Sequence, residues 1–198
     1  MENKNILLED GRRREVIRKI VKDIITVFKM EEEGEFYLPN YVKSDEDFYN
    51  FTNFEHNLIV ELVINQNYEI DDFFVDGNFW GADEIIEIII DYNPNIKNKI
   101  IYDLLGEINQ VVAHEVRHLD QKTKGTFDLN TPDEEDPFKY YTQPHEIDAQ
   151  VFGFKRLSKI AKKPYGVVVK NWFEKHKDIH RLNDNEMKEV INILLRRG

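Results

Sequence analysis

The residues of this chain with the clearest capacity for chemistry are two histidines and a glutamate. Val112-Ala113-His114-Glu115-Val116-Arg117-His118 reads H-E-x-x-H. On a helix, side chains four apart project from one face, one turn from each other. Two imidazoles so placed can bind one Zn²⁺, and Glu115, beside the first, can reach a metal-bound water. Ile108, Val111, Val112 and Leu119 flank the motif. The helix therefore packs into a core, where His, Glu and Arg are costly unless they have a role. The bland alternative is a pair of histidines on a solvated helix face. The chain has no Cys, which excludes disulfides, thiolate zinc sites, iron–sulfur clusters and thiol catalysis. Any metal centre must be built from His, Asp and Glu.

A catalytic zinc needs a third protein ligand and an open fourth position. A third histidine at the H-E-x-x-H-x-x-G-x-x-H spacing is excluded, because Gln121 and Lys124 stand where Gly and His are needed. Asp128 is one candidate. It lies in Gly125-Thr126-Phe127-Asp128, a G-T-x-D string that resembles the aspartate-ligand zinc peptidases, although the Tyr-Gly pair of that family is replaced by Asn130-Thr131-Pro132. Glu146, in Gln143-Pro144-His145-Glu146-Ile147-Asp148, is the other. Pro144 marks a helix start, so Glu146 sits on a second helix that can return to face the histidines. A helix holds a ligand more rigidly than a polar loop, which favours Glu146. His145 is a lesser candidate, because neighbours on a helix point about 100° apart.

At these residues the chain resembles a known family. HEVRHLDQ followed by YYTQPHEIDAQVFGF is similar to the glutamate-ligand zincins, the gluzincins. In style it is closest to small phage or bacterial peptidases with H-E-x-x-H-x-x-Q and Y-x-x-P-x-E-x-[DE]-A. The resemblance spans about Ile100 to Leu157. It implies a zincin-like fold with His114, His118 and Glu146 as zinc ligands and Glu115 as general base. It also implies Tyr140 or Tyr141 as the group that stabilises the oxyanion. Several gluzincins carry an Asp four residues after the ligand Glu, hydrogen-bonded to a zinc histidine. Gln150 stands there in this chain, and Asp148 is the alternative outer partner. The implied activity is zinc-dependent endopeptidase cleavage of a peptide or protein substrate. Zinc lowers the pKa of its water toward ~7, Glu115 takes the proton and returns it to the leaving amine, and metal and Tyr hydroxyl hold the oxyanion. In zincins an edge strand ahead of the active-site helix binds extended substrate, and Ile85–Asp91 occupies that place in chain order.

These side chains need a scaffold, and its elements follow from periodicity. Val16, Ile17, Ile20, Val21, Ile24, Ile25 and Phe28 predict an amphipathic helix over about Arg12–Lys29. Its basic cluster, Arg12, Arg13, Arg14, Arg18, Lys19 and Lys22, reads as a solvated face rather than a nucleic-acid patch. Glu35–Leu38, Leu58–Asn65, Asp72–Val75 and Ile85–Asp91 read as strands, with Pro39-Asn40 among the turns between them. FFVDGNFW reads as a hairpin with Asp76-Gly77 at its tip. The helical period returns near Lys97 and runs to about Gln121, followed by an exposed loop from Lys122 to Pro137. Further helices are expected over Pro144–Lys162, Val167–Lys177 and Asn185–Arg197, the last capped by Asn183 or Asp184. Strands before helices give an α+β class. The expectation is one zincin-like domain over 1–198: helix, small mostly antiparallel sheet and active-site helix to 121, then loop and helices from 122. Trp80, Trp172, Phe152 and Phe154 read as core, His176 and His180 as surface, His56 as uninformative. Arg117 should face away from the metal and pair with a carboxylate.

With 27 basic and 38 acidic residues the net charge is −11, which argues against nonspecific binding to nucleic acid or anionic lipid. No apolar run approaches the roughly 20 residues of a membrane helix, and Glu2, Glu9 and Asp10 interrupt any signal-like start. The reading is a cytoplasmic protein, of a kind a phage could encode for use in its host. The competing function is a non-catalytic metal-binding interaction protein with a structural or vestigial H-E-x-x-H site.

Overall fold

The computed structural model describes residues 10–38, 58–81, 85–126 and 136–198. Asp128, His56 and the Pro39-Asn40 turn lie outside them. The order of elements is α1 (Asp10–Met30), β1 (Gly34–Leu38), β2 (Ile59–Gln66), β3 (Phe73–Trp80), β4 (Ile85–Tyr92), a 3-10 turn at Pro94–Ile96, α2 (Lys97–Lys124), α3 (Pro137–Thr142), α4 (Pro144–Ala161), α5 (Tyr165–Lys175), α6 (Lys177–His180) and α7 (Asp184–Arg197). The class is α+β, with one small mixed sheet. Among the described residues no helix is long and apolar enough to cross a membrane.

The sheet order is β1-β2-β4-β3. β2 pairs parallel with β4, in register Val60↔Ile86 through Gln66↔Tyr92, while β1–β2 and β3–β4 are antiparallel. The period-2 alternation of β2 and β4 sends Val60, Leu62, Ile64, Ile86, Ile88, Ile90 and Tyr92 to one buried face. There they join Val16, Ile17, Ile20, Ile24 and Phe28 of α1 and Leu104, Ile108, Val112 and Val116 of α2 in a single cluster. A second cluster, built from Val151, Phe154, Val168, Val169, Phe173, Val190 and Leu194, joins α4, α5 and α7. Asn183 caps α7 with a capping box completed by Glu186. Gly125, at φ 58°, ends α2 in the left-handed conformation.

Several sequence expectations change. FFVDGNFW is not a hairpin: all eight residues form the continuous strand β3, paired with β4 from Phe73↔Tyr92 to Trp80↔Ile85. Gly77 is there because a Cβ would stand 2.4 Å from Val111 Cγ1 and 3.0 Å from Glu115 Oε1. Its role is close approach of strand to helix, not a turn. Ile85–Asp91 is not an edge, since β4 lies between β2 and β3, and among the described residues the edge beside α2 is β3. The helix carrying the motif runs on through Lys124, and α3 precedes the helix begun by Pro144. Trp80 is 52% exposed rather than core, whereas His176 and His180 are buried. Arg13, on the basic face of α1, is also buried, against Asp120.

Candidate metal centre

α2 is apolar toward the sheet and polar along the side that faces α4. Glu107, Asn109, Gln110, Glu115, His118, Asp120 and Gln121 are all buried on it. Buried polar groups on a helix need partners: α4 supplies those of Gln121, Lys175 and His176 meet Glu107, and Arg13 of α1 reaches Asp120. Pro144 at the first turn of α4 starts the helix so that Glu146 enters the site beside the two histidines.

His114 Nε2 and His118 Nε2 stand 2.9 Å apart. Glu146 Oε2 is 3.3 Å from the first, and Glu146 Oε1 is 3.3 Å from the second. Ligands about 2.0–2.1 Å from a tetrahedral ion stand about 3.3 Å from one another; each histidine stands at that distance from one Glu146 oxygen, and the two histidine nitrogens lie somewhat closer together. Glu146 Oε2, although buried, has no hydrogen-bond partner. Oε2 faces His114 and Oε1 faces His118, and a buried carboxylate oxygen without a well-directed hydrogen bond is costly unless a cation stands near it. Glu115 lies within 4.8 Å of both imidazoles, with Oε1 3.9 Å from His114 Nε2. It is therefore the more distant of the two carboxylates from His114 Nε2.

Burial raises the Glu115 pKa against the pull of His114 and His118. Glu146 is different. Burial opposes its charge, but the close approach and attraction of both histidines prevail and hold it well below the usual carboxylate range. His118 is pushed up to about 9. Burial opposes the shift, and the Glu146 hydrogen bond and the Glu115 and Glu146 charges overcome it.

Of the two tyrosines, Tyr140 belongs to this constellation. Burial, the charges of Glu146 and Glu115 and a hydrogen bond with Glu146 raise its hydroxyl well above the usual tyrosine value. Tyr141 packs against Phe173 and His180, and burial followed by the Asp76 charge raises it. His145 Nε2 lies 3.5 Å from Glu146 Oε1, and its ring is 5.8 Å from that of His118. Arg117 faces away as expected, with Nε donating to Asp148 at 2.7 Å. His118 Nδ1 meets Gln121 Oε1 at 2.9 Å. Gln150, where several gluzincins carry an Asp, is buried with its Oε1 unpartnered.

These groups open onto a cavity of about 700 Å³. β3 forms one wall, from Phe74 to Trp80, and α3, α4, α6 and the residue after it form the other, with Tyr140, Tyr141, Glu146 and Arg181 among its residues. No family model, curated protein or solved structure matches this chain.

The structure thus brings together His114, His118, Glu146, Glu115 and Tyr140. The sequence places Gln121 in the H-E-x-x-H-x-x-Q string without a partner, and its Asp76-Gly77 pair reads as the tip of a turn. Gln121 stands three residues after His118, the spacing that puts it on the same helix face. The only signal for Gly77 was the glycine itself, which also fits a turn.

Proposed function

We propose that this protein is a zinc-dependent peptidase of the zincin type, acting on extended peptide segments. The observation that carries the reading is the convergence of His114, His118 and Glu146 at ligand spacing, with Glu115 alongside, at the base of an open cavity. An open cavity favours catalysis over a structural metal, whose site is closed by four protein ligands. Two imidazoles and a carboxylate suit zinc. When bound there, zinc would supply Lewis-acid polarisation of a carbonyl and easier ionisation of water.

The chain's own residues do the rest. Glu115, held in a desolvated position with a raised pKa, accepts a proton from the attacking water and delivers it to the leaving amine. Tyr140, whose hydroxyl stays protonated, donates a hydrogen bond to the oxygen that becomes negative. β3 is the edge strand beside α2, and Gly77 lets it lie against Glu115. An extended peptide that adds to β3 is thereby laid across the base.

The experiment is to load the purified protein with zinc and follow hydrolysis of an unfolded protein substrate. About one zinc per chain is expected, with hydrolysis abolished by chelation. Glu115→Gln should retain the metal and lose hydrolysis by several orders of magnitude, since the amide is nearly isosteric but cannot take the proton. Wild-type turnover in that variant would remove Glu115 as the base. Failure of the wild type to bind zinc would end the proposal.

A further inference from the structure

Resting on the metal-site reading above, we propose that Gln121 is a positioning residue that fixes which nitrogen of His118 faces the metal, and that its own orientation is dictated by Asp148. The argument runs on hydrogen-bond polarity. Gln121 Nε2 donates to Asp148 Oδ2 at 2.8 Å and to the His145 carbonyl at 2.9 Å. Both partners are pure acceptors, so the two N–H bonds of the amide are spent on them. The flipped amide would set its oxygen against a carboxylate and a carbonyl, which is repulsive. Gln121 Oε1 must therefore face His118 Nδ1, 2.9 Å away. An acceptor there requires a proton on Nδ1. A neutral imidazole protonated at Nδ1 carries its lone pair on Nε2, and Nε2 is the atom that meets His114 and Glu146.

The orientation of Asp148 is in turn fixed from outside the site. Arg117 grips it with Nε at 2.7 Å and Nη2 at 3.2 Å. Arg117 also contacts Asp120, which takes Lys124 Nζ at 2.7 Å and the buried Arg13 of α1 at 3.4 Å. A chain of charged and amide groups therefore runs from the N-terminal helix to one metal ligand, and Gln121 is the link where its polarity is set. A carboxylate at 121 would be a stronger acceptor for the Nδ1 proton, but it would repel Asp148. The proposal therefore separates acceptor strength from orientation.

The test measures zinc affinity of the full chain by competition with a chromogenic chelator. Four proteins are compared: wild type, Gln121→Met, Gln121→Glu and Gln121→Glu combined with Asp148→Asn. Helical circular dichroism and thermal unfolding of the metal-free proteins are recorded alongside. Met keeps the shape of Gln without its polarity and should weaken zinc binding about 10–100-fold while the metal-free protein stays folded. Glu alone should lose affinity to a similar extent. Adding Asp148→Asn restores a donor toward residue 121 and should recover most of the loss. Gln121→Met binding zinc like the wild type would overturn the proposal, as would Gln121→Glu binding as tightly or more tightly. Failure of the double variant to recover would overturn the role of Asp148. If Gln121→Glu does not fold, the Met variant still decides. A wild type that binds no zinc would instead count against the metal site itself.

Discussion

At the scale of single residues, the site rests on side chains whose ionisation is coupled. Metal and proton compete for His118. Its pKa in the folded, metal-free protein, about 9, lies above the ordinary 6.5. The protonated ring paired with Glu146 stabilises that form fully below pH 6.5, and the stabilisation is lost as the pH rises through 9. Zinc needs the deprotonated ring, so zinc affinity should rise across the same window. Near pH 7 binding should release about one proton per site. Calorimetry in two buffers of different ionisation enthalpy measures that number, and zero release would show that His118 is neutral before zinc arrives. The third ligand can be examined in the same way. Glu146→Ala removes a carboxylate 3.3 Å from both imidazoles, and should cost more than the 10–100-fold typical of an outer partner. Asp128→Ala should leave zinc affinity near that of the wild type. The reverse result would assign the site to the aspartate-ligand class.

At the scale of elements, the contact between β3 and α2 sets the distance from β3 to Glu115, the proposed base. No side chain fits at Gly77, because Val111 and Glu115 occupy the space. Gly77→Ala must push strand and helix apart or displace Glu115. Overpacking of this kind typically costs about 1–3 kcal/mol. The expected result is a lower unfolding midpoint together with a fall in kcat and retained zinc, because the ligands on α2 and α4 are not touched. Denaturant unfolding and kinetics on the same preparation check both. Unchanged turnover would mean that the position of β3 does not matter to Glu115.

At the scale of the molecule, the cavity lies where the sheet and α2 meet the C-terminal helices, so what joins them also shapes the site. One junction is buried and charged: Glu107 of α2 takes Lys175 of α5 at 2.7 Å and lies 3.3 Å from His176, while Lys175 also reaches Asp72, just ahead of β3, at 3.4 Å. Burial opposes the Glu107 charge, but His176 and Lys175 outweigh it and lower its pKa below 4.5. Its stabilisation is present above pH 4.5 and is lost as the pH falls through the lowered value. Glu107→Gln should therefore cost about 1–3 kcal/mol near neutrality, with a gap from wild type that closes in acid. Urea unfolding of both proteins as a function of pH reads this out, and a gap independent of pH would rule out the charge as its source.

Local sequence determined the elements, because a helix or strand is written in the spacing of its own apolar residues. Val16 to Phe28 marked α1, the alternation of β2 and β4 marked the inner strands, and Asn183 marked the start of α7. The His114–His118 pair was legible for the same reason, since both side chains lie within one turn of one helix. Packing decided what depends on distant parts of the chain meeting. Gly77 fits a turn equally well until α2 is seen pressed against it. The edge strand could not be identified from chain order, because β3 crosses to the far side of β4 before pairing. Trp80 is exposed at the cavity wall, while His176 is buried against Glu107, an outcome that hydropathy alone reverses. Glu146 was legible from Pro144 and its surrounding motif, whereas Gln121 carries no local sign of its partners. Its contacts arise only when α4 folds back on α2 and leaves buried polar groups to satisfy one another.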